Sequence, residues 1–325
     1  MSLIENPTTP LRSEPNAEGG LDIQGRPDIS NRINGSDGND VIVGGPQGDV
    51  MWGGAGNDAI AGFGGDDSLI AGEGNNVMFG NQGNDTLIGG PGNDTLYGGR
   101  DNDYLLAGAG NNLLSGDRGD DTVVGGAGDD TLLGGEGNDY LVGTGGRNVM
   151  VGGNGNNTVV GGSSDDVMFG NAGNDYIMAS GGNNSLFGGQ GDDTLIGGDG
   201  NDVLSGDRGN NMLTGGQGND TFLFSGHGNV NISAEDIGND TITDFASGRD
   251  RIALDRTVYT GLGDTLQAED FAVMDVADGA SEAKLIYEES TGQLFYNPTT
   301  SPDDKVTIAR LEDAPGLTID DFELL

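Results

Sequence analysis

From residue 35 to residue 223 the chain writes one unit of nine residues again and again: G-G-x-G-(N/D)-D-x-U-x, where U is a large apolar residue. Residues 125–133 (GGAGDDTLL) and 134–142 (GGEGNDYLV) are two consecutive copies. The stretch holds 21 copies without insertion or deletion, and a fixed period of this kind decides the architecture. Position eight reads Ile42, Met51, Ile60, Leu69, Met78, Leu87, Leu96, Leu105, Leu114, Val123, Leu132, Leu141, Met150, Val159, Met168, Ile177, Leu186, Leu195, Leu204, Leu213 and Phe222. One strictly apolar position in nine matches neither a helix nor the alternation of a meander. It suits a coil in which each copy is a six-residue turn followed by a three-residue strand. Gly at positions one, two and four suits backbone angles that other residues reach only at a cost. Two copies then make one 18-residue turn, the strands stack into two parallel sheets, and the U residues meet between them. The expected fold is all-β: a parallel β-roll followed by a smaller β-rich C-terminal domain.

Composition narrows what such a chain does. With 13 Lys+Arg against 53 Asp+Glu, the net charge is −40. A chain this acidic repels itself and seeks neither nucleic acid nor an anionic membrane. By composition alone it is a disordered chain, so multivalent cations are the obvious means of neutralising it. The 65 Gly do not signal collagen, because the period is nine and not three. There is no Cys, hence neither disulfides nor thiolate metal sites. No apolar stretch is long enough for a transmembrane segment. The first residues, MSLIENPTTPLRSEPNAEGG, lack the basic and apolar regions of a cleavable secretory signal. The single His, His227, lies among Gly, Ser and Asn and reads as a solvated loop residue. One His, no Cys and no H-E-x-x-H leave no catalytic triad and no His-based zinc site, so the chain is expected to be non-enzymatic. Glu288 and Glu289 read as solvated turn residues.

Three segments are expected. Residues 1–34, with Pro7, Pro10, Pro15 and Pro27 and no apolar period, read as a mostly disordered leader. Residues 35–223 are the roll. In residues 224–325 the repetition ends, apart from a last half-motif, Gly238-Asn239-Asp240-Thr241-Ile242. Strand candidates there are 242–245, 251–254, 283–287, 294–297, 305–311 and 317–325, with a hairpin turn at 288–292.

The nonapeptide resembles the RTX, or haemolysin-type calcium-binding, repeat family, across all 21 copies. That resemblance implies a parallel β-roll folded around Ca²⁺. Residues 244–254 (DFASGRDRIAL) resemble the start of the C-terminal domain behind serralysin-type repeats. Leu285-Ile286-Tyr287, Thr291-Gly292 and Leu294-Phe295-Tyr296 resemble that domain's hairpin. Residues 320–325 (DDFELL) are similar to the acidic-then-apolar tail of proteins exported by type I secretion machinery. The resemblance thus implies a secreted protein, extracellular or on the cell surface, that folds on Ca²⁺ after export.

Ca²⁺ takes six to eight oxygens. In a coil of two copies per turn, copy n lies beside copy n+2, so a carboxylate at position six can serve an ion on each side. Position six is Asp40, Asp49, Asp58, Asp67, Asp85, Asp94, Asp103, Asp121, Asp130, Asp139, Asp166, Asp175, Asp193, Asp202 and Asp220. It is Asn76, Asn112, Asn148, Asn157, Asn184 and Asn211 in the other six copies. Along the odd-numbered copies, from Asp58 to Asp202, Asp and Asn alternate strictly. An Asn side chain has one oxygen and presents a donor elsewhere. The odd edge is therefore expected to hold fewer or weaker ions than the even edge, the alternative being that amide and backbone oxygens suffice and every site fills. Eleven odd and ten even loops leave at most 19 gaps for ions. Ion binding and folding should be one event.

Position nine of the even copies reads Trp52, Ile70, Ile88, Leu106, Val124, Val142, Val160, Met178, Ile196 and Thr214. If position eight points in, position nine points out. These residues form either an exposed apolar ladder used in contacts or side chains that merely suit strands. The first option leaves open self-association into a surface layer, fibril or matrix, or adhesion to a hydrophobic surface.

Overall fold

A computed structural model of the chain describes residues 12–17, 19–226, 233–275, 281–299 and 304–325. His227 lies outside the described residues. The chain divides into two compact units, Met1–Val149 and Met150–Leu325.

In the first unit each repeat contributes one strand, and each strand pairs in parallel with the strand one full coil away. Thr95–Arg100 pairs with Leu113–Arg118, setting Leu96 against Leu114. The copy between them, Tyr104–Ala109, pairs instead with Thr122–Ala127, setting Leu105 against Val123. Successive copies thus alternate between two parallel sheets, and 18 residues make one turn. The second unit repeats the arrangement: Tyr176–Gly181 pairs with Thr194–Asp199, and Ser185–Gln190 with Val203–Arg208.

The strands are longer than the repeat suggests. A typical one covers six residues, positions seven to nine and then one to three of the next copy, so the turn shrinks to positions four to six. The register skips position one: Tyr97 pairs with Ser115 and Gly99 with Asp117. Glycine at position four is dictated by stacking. Gly92 has φ +134°, and a Cβ there would sit 1.9 Å from the carbonyl oxygen of Gly74 one coil back. At position two the fold holds even Phe63, Thr144 and Ser180 at φ 82°, 77° and 89°, a conformation normally left to glycine.

The core is one file of side chains per sheet. All 21 position-eight residues, Ile42 through Phe222, are fully buried. Burying each such side chain contributes about 1.5–3 kcal/mol. Position nine points the other way, as expected, but the ten even-copy residues from Trp52 to Thr214 are only half-exposed. Each is flanked by the residue one coil away, as Leu106 is by Ile88 and Val124, and the stack shields its own members.

The coil also outruns residues 35–223. A disordered leader is the wrong description of residues 19–34. Gly19–Gln24 pairs in parallel with Asn39–Gly45, burying Ile23, and Arg32–Asn34 pairs with Val50–Ala55, burying Ile33. The apolar-inward alternation is retained without the glycine spacing. In the second unit Asp240–Ile242 continues one sheet beyond Met212–Gln217, and Arg251–Leu254 continues the other beyond Thr221–Phe224. Val306–Leu311 then pairs with Asp240–Ile242, and Phe322–Leu324 with Arg251–Leu254. The expected hairpin is present as Leu285–Glu288 antiparallel to Gln293–Tyr296. Phe271–Met274, which the sequence does not single out, adds a strand beside it. Tyr259 packs edge-on against Tyr296, 5.2 Å between ring centroids. Among the described residues no helix is long and apolar enough to cross a membrane.

Candidate cation-binding turns

Position six sits in the shortened turn, one residue before the strand, and its side chain turns inward. All 21 residues at this position, from Asp40 to Asp220 and including the six Asn, are between 1 and 4 % exposed. Their hydrogen bonding follows one rule. One side-chain oxygen accepts the backbone N–H of position six in the preceding coil. Asp67 Oδ1 accepts from Asp49 N (2.7 Å), Asp85 from Asp67 (2.7 Å), Asp103 from Asp85 (2.8 Å) and Asp121 from Asp103 (2.7 Å). The Asn oxygens take the same role, as in Asp58 N to Asn76 Oδ1 (2.8 Å).

The second carboxylate oxygen has no donor. Oδ2 of Asp58, Asp67, Asp85, Asp94, Asp103, Asp121, Asp130, Asp175, Asp193, Asp202 and Asp220 is buried without a hydrogen-bond partner. It is turned toward the Cα of position one in its own copy, where a Cβ would fill the space: 2.0 Å from Asp67 Oδ2 at Gly62 and 2.4 Å from Asp103 Oδ2 at Gly98. A buried carboxylate oxygen without a donor is costly unless a proton or a cation meets it. The carboxyl pKa values report the same tension. Burial raises Asp103 to about 8, further helped by the Asp121 and Asp85 charges, against the lowering effect of the Asp85 backbone N–H. Burial likewise raises Asp67, Asp85, Asp121 and Asp193 to about 7 and Asp58 and Asp202 to about 6.

Among the described residues no three Asp, Glu or His side chains converge on one point. A cation in these turns would take a carboxylate oxygen from one or two coils and complete its shell with backbone carbonyls, which suits Ca²⁺. The residues fit that ion: hard oxygen donors, buried, in register, with one oxygen of each of the eleven Asp named above left unsatisfied.

The first two Asp of the repeat differ. Both oxygens of Asp40 are engaged, Oδ1 by Leu21 N and Oδ2 by Ser36 N. Asp49 Oδ1 accepts from Asn31 N and Nδ2 (2.6 and 2.9 Å), and its Oδ2 from Gly45 N (2.7 Å). Protein donors thus cap this end of both files.

Three features escape a reading of the repeat. Asn31 holds the place 18 residues before Asp49 but lies outside the nonapeptide. Asp240 continues the even file: its Oδ1 accepts from Asn211 N and Nδ2 (2.9 and 2.8 Å), its Oδ2 is buried without a donor, and burial raises its pKa to about 8. Its spacing from Asn211 is 29 residues, an 11-residue insertion beyond the period, and only the half-motif 238–242 signals it. Asp250 plays the corresponding part for the odd file, its Oδ1 accepting from Asp220 N (3.2 Å) and its Oδ2 from Ala246 N (2.8 Å). The third feature is position five, whose Asn or Asp oxygen accepts the N–H of position five in the following coil. Asn57 takes Asn75 N, Asn75 takes Asn93 N and Asn93 takes Asn111 N, at 2.7–2.8 Å.

Comparison with known proteins finds a family match to the RTX calcium-binding nonapeptide repeat at residues 28–60, 43–78, 61–96, 79–114, 115–150, 151–186 and 187–222, together more than half of the chain. No curated protein matches. Among solved structures the chain is similar to the AlgE6R3 subunit of the Azotobacter vinelandii mannuronan C5-epimerase, at 21% identity over 52% of this chain and 78% of that one, with a TM-score of 0.31.

Proposed function

The chain belongs to the RTX calcium-binding nonapeptide repeat family, and from that premise we propose that it is a secreted, non-enzymatic protein whose coils fold around Ca²⁺ after export. The observation that carries the reading is the set of eleven buried carboxylate oxygens without a donor, Asp58, Asp67, Asp103 and Asp220 among them. Bound Ca²⁺ supplies positive charge and six to eight oxygen bonds. The chain supplies the carboxylate Oδ2 atoms, the freed carbonyls of the turn and a rigid register that repeats them. Because the turns exist only when the coils are stacked, affinity for the ion is at the same time stability of the fold. Extracellular Ca²⁺ modules bind with Kd of about 10⁻⁴–10⁻³ M, so the reading places the folded protein outside the cell and the open, acidic chain inside it. Export by a type I route agrees with the resemblance of residues 320–325 to such tails.

Calorimetric titration of Ca²⁺ into chelator-treated protein tests this. Binding with coupled folding heat is expected, with Mg²⁺ a poor substitute because it demands tight octahedral geometry. Absence of Ca²⁺ binding would overturn the proposal.

A second reading rests on the outer face of the even-copy sheet. Beside the half-exposed apolar stripe stand Tyr104 and Tyr140 in the first unit, 40 and 46 % exposed, and Tyr176 and Met212 in the second. They support association of the Ca²⁺-loaded chain with copies of itself. Light scattering decides it: a strictly monomeric loaded form excludes assembly.

A further inference from the structure

The six Asn at position six are not weaker copies of the Asp. In three of them the amide nitrogen, the chemical counterpart of Oδ2 in an Asp, donates to at least two oxygens at once. Asn76 Nδ2 bonds Gly74 O (3.1 Å) and Asp94 Oδ1 (3.0 Å). Asn112 Nδ2 bonds Gly110 O (3.0 Å) and Asp130 Oδ1 (2.9 Å), and Asn184 Nδ2 bonds Gly182 O (3.0 Å) and Asp202 Oδ1 (2.9 Å). One acceptor is the position-four carbonyl of the same turn and the other is the carboxylate of the next coil. In an Asp copy a third oxygen would face these two, and a cation is what reconciles them. An Asn brings two N–H groups to the same place. The three oxygens become one donor group and two acceptors, and nothing remains for an ion to do.

A second observation is independent of the hydrogen bonds. Position one is Gly in all 15 Asp copies, but it is Ala71, Ala107 and Ala179 in three copies, and these are the copies of Asn76, Asn112 and Asn184. The three methyl groups are fully buried. In the Asp copies a Cβ at position one would fall within 2.0–2.5 Å of Oδ2. The alanine side chain is therefore incompatible with the carboxylate placement of the Asp copies.

We propose that the copies beginning at Ala71, Ala107 and Ala179 are cation-free by construction, each plugged by an amide and a methyl group in place of an ion. This rests on the Ca²⁺ reading above and sharpens it. From Asp58 to Asp130 the odd edge then holds ions only in alternate gaps, those opened by Asp58 and Asp94, each shared between one carboxylate and one amide oxygen. The even edge, from Asp67 through Asp121, carries uninterrupted carboxylates and adjacent ions.

Native mass spectrometry of the full chain in Ca²⁺ counts bound ions as integers. The double variants A107G/N112D and A179G/N184D, one in each unit, should each bind one Ca²⁺ more than the parent chain. An unchanged count in both variants, or failure of both to fold in saturating Ca²⁺, overturns the proposal. A parent chain that binds no Ca²⁺ at all refutes instead the Ca²⁺ reading on which it rests.

Discussion

Removing the cation should do more than weaken this protein; it should unfold the coil. Oδ2 atoms of Asp58, Asp67, Asp85, Asp94, Asp103, Asp121, Asp130, Asp175, Asp193, Asp202, Asp220 and Asp240 are buried without donors. An unsatisfied buried polar atom costs about 1–3 kcal/mol, and more when charged. For these twelve the cost is roughly 12–36 kcal/mol, against a net stability of about 5–15 kcal/mol for native proteins. Ionised and cation-free, the stacked turns cannot persist. The perturbation is an excess of chelator at mildly alkaline pH, above the highest of the raised repeat carboxyls, Asp103 at about 8. Far-UV circular dichroism should lose its β signal and small-angle scattering should show expansion toward the ~64 Å radius of gyration of an unfolded chain this long. Returning Ca²⁺ should reverse both. A chelated chain that keeps its β spectrum and its compact radius at that pH would refute the argument, because it would mean that the buried oxygens are satisfied some other way.

Acid should rescue the chelated chain in part. A carboxyl whose pKa is raised by folding stabilises the fold fully below its unfolded value, near 3.8, and loses that contribution as pH rises through the folded values of about 6 to 8. The cation-free chain should therefore gain β signal as pH falls toward 4, and dichroism across a pH series checks this. Leu132→Ala leaves a hole in a fully buried file and should cost about 2–5 kcal/mol, seen as a higher Ca²⁺ midpoint for folding. Gly98→Ala sets a methyl group 2.4 Å from Asp103 Oδ2 and should lose one Ca²⁺ in a native mass spectrum, whereas Ala107→Gly should lose none. Asn93→Ala removes the acceptor of Asn111 N on the outer rim and should cost only about 0.5–1.5 kcal/mol in thermal melts, with the ion count unchanged.

Much of this architecture was legible because the period speaks for the whole coil at once. An apolar residue at every ninth place, from Ile42 to Phe222, has one arrangement that buries all of them, and the structure adopts it. What stayed hidden has local causes. Positions one to three, such as Gly98-Gly99-Arg100, lack the residue types that favour strands, yet they continue the ladder because the coil above holds them in register. Ile23 sits one place out of phase with the period, and Ile33, though nine residues before Ile42, lies in a copy without the glycines, so neither stands out as a repeat. Asp240 is displaced by an insertion, and beyond the half-motif 238–242 it is the bond it accepts from Asn211 N that reveals its place in the file. The alternation of Asp and Asn was visible; what the amide does could be learned only from the two oxygens it faces.

The counter-running bonds of positions five and six have a consequence for how the coil can grow. Position five accepts from the coil after it, and position six from the coil before it. No coil can finish its own turn: each waits on both neighbours, and the last one formed always presents a polar, incomplete face. Growth of such a stack is a zipper with a ragged end, closed in the first unit by Asn31 on Asp49 and in the second by Asp250 beyond Asp220. A fragment cut within either unit would carry an open end with it. Short excised repeats should accordingly remain unstructured in Ca²⁺ however faithful their sequence, because what a repeat encodes is half of a bond.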